Sequence, residues 1–299
     1  MRHRRSCLRG GEKDMRLILK IILILMLASS CYAFKPERHE LISNSAASLY
    51  QACTGHAIPE ELLSAFARGT ADEDERGLTR ALNWHFYNNG HRIGRYWKFV
   101  FYCNGSNEKI YHQRIRTLDG LFASKASTIK IYAAAGRVAH HIQDMSVPPH
   151  VLPIYHLGGD NFDNYVPASM PAADAAAICK DVKGTVFEPF DLLERAAQNT
   201  LKTVAQPVLF ANGKTSENET WMKFWGGPDD PDLSGFKTYG EYGNVFGTIP
   251  PCKSNICRAY DKNTFDRFYN EAYMRAVADT VRVFIYLDQR NAVLKQSGR

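Results

Sequence analysis

The chain has 299 residues, 45% hydrophobic and 23% charged, with seven Cys and a formal net charge of +6. This length supports one sizeable core without help from disulfides, and no internal repeat or low-complexity linker divides it. The basic excess sits in residues 1–33: removing their seven basic and two acidic residues from totals of 37 and 31 leaves 30 against 29, too even for a surface that wraps nucleic acid.

Residues 16–33, RLILKIILILMLASSCYA, pair a charged flank with a short apolar run and small residues. Residues 1–33 are therefore expected to be a secretory signal peptide, with Met15 as a second candidate start and cleavage after Ala33. A lipoprotein site at Cys31 ranks lower, since the usual Leu three residues before it is missing. The expected compartment is secreted or periplasmic.

Helical periodicity dominates the chain beyond residue 33. Helices are expected over His39–Cys53, from Pro59 through Ala67 with Pro in the first turn, over Leu118–Met145, over Phe187–Ala205 and over Asn263–Asp288. In the last, Phe265, Phe268, Ala272, Ala276, Thr280 and Phe284 form a core-facing stripe. A short strand is expected in WKFVFYC at 97–103. The fold class is all-α: a single-domain multi-helix bundle spanning 34–290, with 291–299 as a tail. Residues 206–262, crowded with Gly, Pro, Asn and aromatics, read as a long irregular excursion. A lid over the core is the preferred reading, and a surface presenting Trp221, Phe224 and Trp225 to a membrane or substrate is the second. Export favours disulfides. Cys252 with Cys257 is the first pairing, leaving Cys53, Cys103 and Cys179 with one odd thiol.

The chemistry concentrates at residues 140–150, HHIQDMSVPPH. His140 and Asp144 share one helix face, Pro148 and Pro149 end the helix, and His150 comes next. Two imidazoles and a carboxylate at a helix end suit a borderline divalent cation, zinc first. The acidic run at 72–75 reads by itself as a solvated turn. Asp160 reads as a helix N-cap before Asn161.

The spacing His140-x3-Asp144-x5-His150, with its QDMSVPP interior, resembles the central motif of the bacterial zinc-dependent phospholipases C and of the related fungal-type single-strand nucleases. That resemblance covers residues 34–166 and implies an all-α fold around three zinc ions. By it, Asp72, His85, His140 and Asp144 hold one ion. The amine and carbonyl of Phe34, with His39 and a bridging Asp144, hold a second, provided cleavage exposes Phe34. His150, His156 and Asp160 hold the third, with Asp163 as the rival to Asp160 and Asp74 as the rival to Asp72. His141 has no ligand role in this pattern and is expected in the surroundings of the site or at the surface. Clustered zinc ions suit phosphodiester hydrolysis because they supply hydroxide near neutral pH and neutralise phosphoryl charge. Asp72 is the expected catalytic proton acceptor. The implied activity is a phospholipase C acting on glycerophospholipids at a membrane surface, as a monomer. A single-strand nuclease is the second reading, and a non-catalytic metal-binding helical protein the third.

Overall fold

The computed structural model describes residues 35–75, 85–87, 95–96, 101–102, 107–154, 156, 159–169, 175–183, 189–229, 236–250 and 259–296. The expectations for the leader, Phe34, Cys103, Cys252 and Cys257 lie outside them. The described helices are α1 (Pro36–Thr54), α2 (Glu60–Glu75), α3 (Asn107–Ala123), α4 (Thr128–Asp144), α5 (Pro148–Val151), α6 (Ala175–Lys183), α7 (Pro189–Ala205), α8 (Met222–Trp225) and α9 (Lys262–Gln296). Among the described residues, strands are confined to two small antiparallel pairs, Arg95–Tyr96 with Phe101–Tyr102 and Pro207–Leu209 with Thr215–Thr220. The class is all-α, as expected.

The expected helix over Leu118–Met145 is two helices. Ser124–Ser127 separates them, with Lys125 in the left-handed region at φ 54° and Ser127 extended. Apolar residues on both sides of this turn keep a helical rhythm, and hydrophobic period alone does not register a two-turn reversal. Likewise α9 runs on past Asp288 to Gln296, while its stripe from Phe265 to Phe284 is buried as expected.

The central helix is α4. It packs against α2 most extensively and also against α3, α7 and α9. The sequence AAAG at 133–136 permits this, because small side chains let neighbouring backbones come near. A Cβ on Gly136 would stand 2.1 Å from the carbonyl oxygen of Phe66, and one on Gly69 would stand 2.2 Å from that of Ala133. Both glycines are thus fixed by the α2–α4 crossing.

A disulfide joins Cys53, at the end of α1, to Cys179 on α6 across 126 residues. It resolves the odd-thiol question for those two residues and fits an oxidising, exported environment. Among the described residues no helix is long and apolar enough to cross a membrane. A loop this long makes the bond a strong constraint on the unfolded chain. A double Cys53→Ser, Cys179→Ser protein should lose about 2–5 kcal/mol of stability, read from denaturant midpoints at constant slope.

The excursion over 206–262 corrects its second reading. Trp221, Phe224 and Trp225 are 5%, 0% and 1% exposed, not surface residues. Trp221 stacks on Phe268 of α9 at 4.2 Å between centroids, and Trp225 meets Phe162 edge-on at 5.8 Å. Inside the cluster, buried Glu219 accepts from Lys223 and from the Tyr242 hydroxyl at 2.8 and 2.6 Å. These aromatics are a second lobe of the core, laid over α9 and the 160–165 turn.

Candidate metal centre

Four elements deliver the site: the first turns of α1, the last turn of α2, the segment 85–87, and the end of α4 with α5 behind it. Each side chain is aimed by a bond on its far side. The His39 Nδ1–H donates to Gln143 Oε1 at 2.6 Å, and the His140 Nδ1–H to the carbonyl of Thr70 at 2.9 Å. His150 donates to the carbonyl of His85 at 2.7 Å, and His156 to that of Ile154 at 2.6 Å. With Nδ1 so engaged, all four imidazoles keep Nε2 as the lone-pair nitrogen. This is how metal-ligating histidines are held. His85 differs in presenting Nδ1.

The inward atoms converge. His85 Nδ1, His140 Nε2 and Asp144 Oδ2 form a triangle with sides of 3.0, 3.1 and 3.3 Å. Ligand bonds of about 2.0–2.1 Å in a tetrahedral site imply edges of roughly 3.3–3.4 Å, so this triangle is close to one face of such a site. Asp74 Oδ1 stands 3.5 Å from His140 Nε2 and 3.8 Å from His85 Nδ1, toward a fourth corner. On the other side, His39 Nε2 lies 3.4 Å from Asp144 Oδ1 and 3.7 Å from Asp74 Oδ2. Both carboxylates therefore turn one oxygen to the His85–His140 group and the other to His39. Asp74 and Asp144 are both 0% exposed at the side chain. Two buried carboxylates among imidazole lone pairs repel one another unless positive charge sits between them. The buried His and Asp groups could hold a metal ion.

The geometry corrects Asp72. Its carboxylate turns outward, is 36% exposed and accepts from Arg137 at 3.0 Å. Asp74 takes the inward place. The physical reason is that α2 continues through the acidic run instead of ending in a turn. Asp74 is then one helical turn beyond Thr70, whose carbonyl holds His140, while Asp72 points well away from that face. The period-four spacing Phe66–Thr70–Asp74 was the available signal. Glu73, between them, accepts from Arg114 Nε at 2.9 Å and Arg137 Nη1 at 3.1 Å. Burial alone would raise the Glu73 pKa, but neighbouring His141 and Arg114 outweigh it and hold the carboxyl below its ordinary value.

A second group lies beside the first. Phe86 stacks on the His150 ring at 5.0 Å, and the rings of His150 and His156 are 5.2 Å apart. Asp163 Oδ2 faces His156 Nε2 at 3.7 Å. Asp160, ranked first in the sequence, is otherwise engaged. Its Oδ1 accepts the Phe162 N–H at 2.7 Å and its Oδ2 accepts the Trp225 indole N–H at 3.3 Å. Burial pushes the Asp160 carboxyl above its ordinary value, against the pull of His156 and those donors. It caps the turn at 161–164 rather than a helix, and Asp163 is the carboxylate that turns to His156.

Sequence reasoning missed Gln143, Thr70 and Glu73 as supports; Gln143 lies inside the QDMSVPP stretch without a role assigned to it, and no motif marks the other two. It also left His141 between the surroundings and the surface; the residue is 0% exposed. The Gln143 amide donates on to Thr280 Oγ1 of α9 at 3.0 Å, so α9 steadies His39 through it. Replacing Gln143 with Ala should weaken metal binding by about 10- to 100-fold, whereas Gln143→Glu, which keeps the acceptor for His39 but loses the donor to Thr280, should recover only part of that loss. Competition titration against a chromophoric chelator measures both.

Compared with protein-family models, characterised proteins and solved structures, the chain shows no significant match to any of them.

Proposed function

We propose that this chain is an exported zinc-dependent phosphodiesterase, acting as a phospholipase C on glycerophospholipids. The observation that supports it most is the double role of His85. Its ring joins the group of His140, Asp144 and Asp74, while its carbonyl fixes His150 in the neighbouring group. Two adjoining clusters of imidazole and carboxylate donors are what a clamp on a phosphodiester needs.

The donor set fits zinc. It is nitrogen and oxygen, at separations close to tetrahedral edges, and each imidazole anchored at Nδ1 is preset in the metal-binding tautomer. His85, His140, Asp74 and Asp144 would hold one ion, and His39 with the same two carboxylates a second. His150, His156 and Asp163 would hold a third. Bound zinc supplies a nucleophile from water near neutral pH and neutralises charge on phosphoryl oxygens. Asp74 takes the ligand place expected of Asp72, because its carboxylate faces the cluster and that of Asp72 faces Arg137. Phe86 packs on both rings of the second group, 5.0 Å from His150 and 5.5 Å from His156, and is backed by Phe236 at 5.1 Å.

The test is a parallel assay of the mature protein on phosphatidylcholine vesicles and single-stranded DNA, with and without chelator. Chelator-sensitive release of phosphocholine is expected. Chelator-sensitive cleavage of DNA alone would move the activity to the nuclease reading. No activity on either substrate, with zinc bound, would favour a non-catalytic metal protein.

A further inference from the structure

One more histidine reaches the centre than the motif spacing implies. His141 is fully buried at the end of α4. One of its ring nitrogens lies within 4.8 Å of ligand atoms of His85, His140 and Asp144. Its ring meets that of His85 edge-on at 4.9 Å and that of His140 at 5.3 Å.

Among the described residues, neither ring nitrogen of His141 makes a hydrogen bond; the Glu73 Oε1 atom stands 3.6 Å from Nε2. Leaving a buried polar atom unsatisfied costs about 1–3 kcal/mol. The other imidazoles anchored at Nδ1 each spend that nitrogen on an oxygen acceptor, and His141 does not. Glu73 is held by Arg114 and Arg137, so its position opposite Nε2 is fixed from behind. A carboxylate on the far side of a histidine is a frequent support for a metal ligand.

We propose that His141 is an additional ligand of the His85–His140 ion, offering Nδ1 while Nε2–H faces Glu73. This rests on the metal reading above. Consecutive helical residues diverge by about 100°, so the short Nδ1 side of His141 approaches a centre that His140 enters through Nε2. The chemistry gives a reason for it. Asp74 and Asp144 would each be divided between two ions, so neither ion would have a whole carboxylate from either. A further neutral nitrogen would bring that ion to five ligands without adding negative charge to a buried site.

The test uses metal-free full-length mature protein titrated with zinc against a chromophoric chelator. His141→Gln keeps a polar group facing Glu73 but removes Nδ1. The expected result is at least a tenfold weaker tightest site. Affinity within twofold of the parent would overturn the proposal and leave His141 a packing residue. Should His141→Gln fail to fold, the parent protein labelled with ¹⁵N-histidine decides. Zinc should shift the His141 Nδ1 resonance along with that of His85. A His141 ring unmoved while His85 and His140 shift would overturn it. A parent protein that binds no zinc would overturn this proposal and the metal reading together, an outcome distinct from loss at His141 alone.

Discussion

Asp144→Asn should remove at least one equivalent of bound zinc and lower phosphodiester hydrolysis by on the order of a hundredfold or more, while Asp72→Asn changes either by less than about twofold. The contrast comes from where the oxygens point. Asp144 reaches His85 and His140 with Oδ2 and His39 with Oδ1, so one substitution damages two positions at once. Anchored supports alone are worth about 10- to 100-fold in affinity, and a ligand shared by two ions exceeds that. Asp72 instead forms a partly exposed pair with Arg137, worth about 0–1 kcal/mol after solvent screening.

Stability should separate the two variants as well. In metal-free protein, Asp74 and Asp144 crowd buried negative charge around His39 and His140. Neutralising Asp144 relieves that repulsion, so metal-free Asp144→Asn should melt no lower than the parent. With zinc the order reverses, because the parent gains binding free energy that the variant has lost. Melting curves with and without chelator, together with metal content by mass spectrometry, check both signs. An Asp144→Asn protein with full zinc and full activity would remove the centre from the chemistry, and an Asp72→Asn protein that lost both would return the ligand place from Asp74 to Asp72.

The difference between Asp72 and Asp74 shows where sequence was legible. His140, Asp144 and His150 are local: three residues within one helix end and the one-turn helix α5 just after it, which Pro148 and Pro149 open rather than end. Helical spacing alone puts the first two on one face. The class and most helix spans were legible for the same reason, since period and breakers act over a few residues. Asp74 was legible only through its period-four spacing from Phe66 and Thr70, because the choice among adjacent acidic residues depends on how α2 is rotated against α4. Two side-chainless positions on different helices set that rotation, and a run of four acids carries no phase of its own. Asp163 over Asp160 has the same character. The choice turns on Trp225, which arrives from the excursion and occupies Asp160 Oδ2. The preferred reading of that excursion, a lid over the core, was the nearer one: its aromatics are buried against α9, the helix that follows it.

The rotation of α2 on α4 is open to direct test through Gly136. Its missing side chain lets the Phe66 carbonyl lie where a Cβ would be, at 2.1 Å, with the Phe66 carbonyl carbon at 3.0 Å and Gly69 Cα at 3.1 Å. All three are backbone atoms of a packed helix, so no side chain can move aside. Gly136→Ala must push the helices apart, at a cost of about 3 kcal/mol by analogy with overpacked cores. At about 2–4 °C per kcal/mol, the melting temperature should fall by roughly 6–12 °C. The movement also lengthens the contacts that the crossing sets, the 2.9 Å bond from His140 to the Thr70 carbonyl and the 3.5 Å approach of Asp74 to His140. Zinc affinity should drop with stability although no ligand has changed. Gly120, exposed on α3 with nothing within 4 Å of its would-be Cβ, is the control. Gly120→Ala should instead stabilise by about 0.5–1 kcal/mol, from helix propensity alone. If Gly136→Ala melted and bound zinc like the parent, α2 would have freedom to slide on α4, and the inward placing of Asp74 would lose its structural basis.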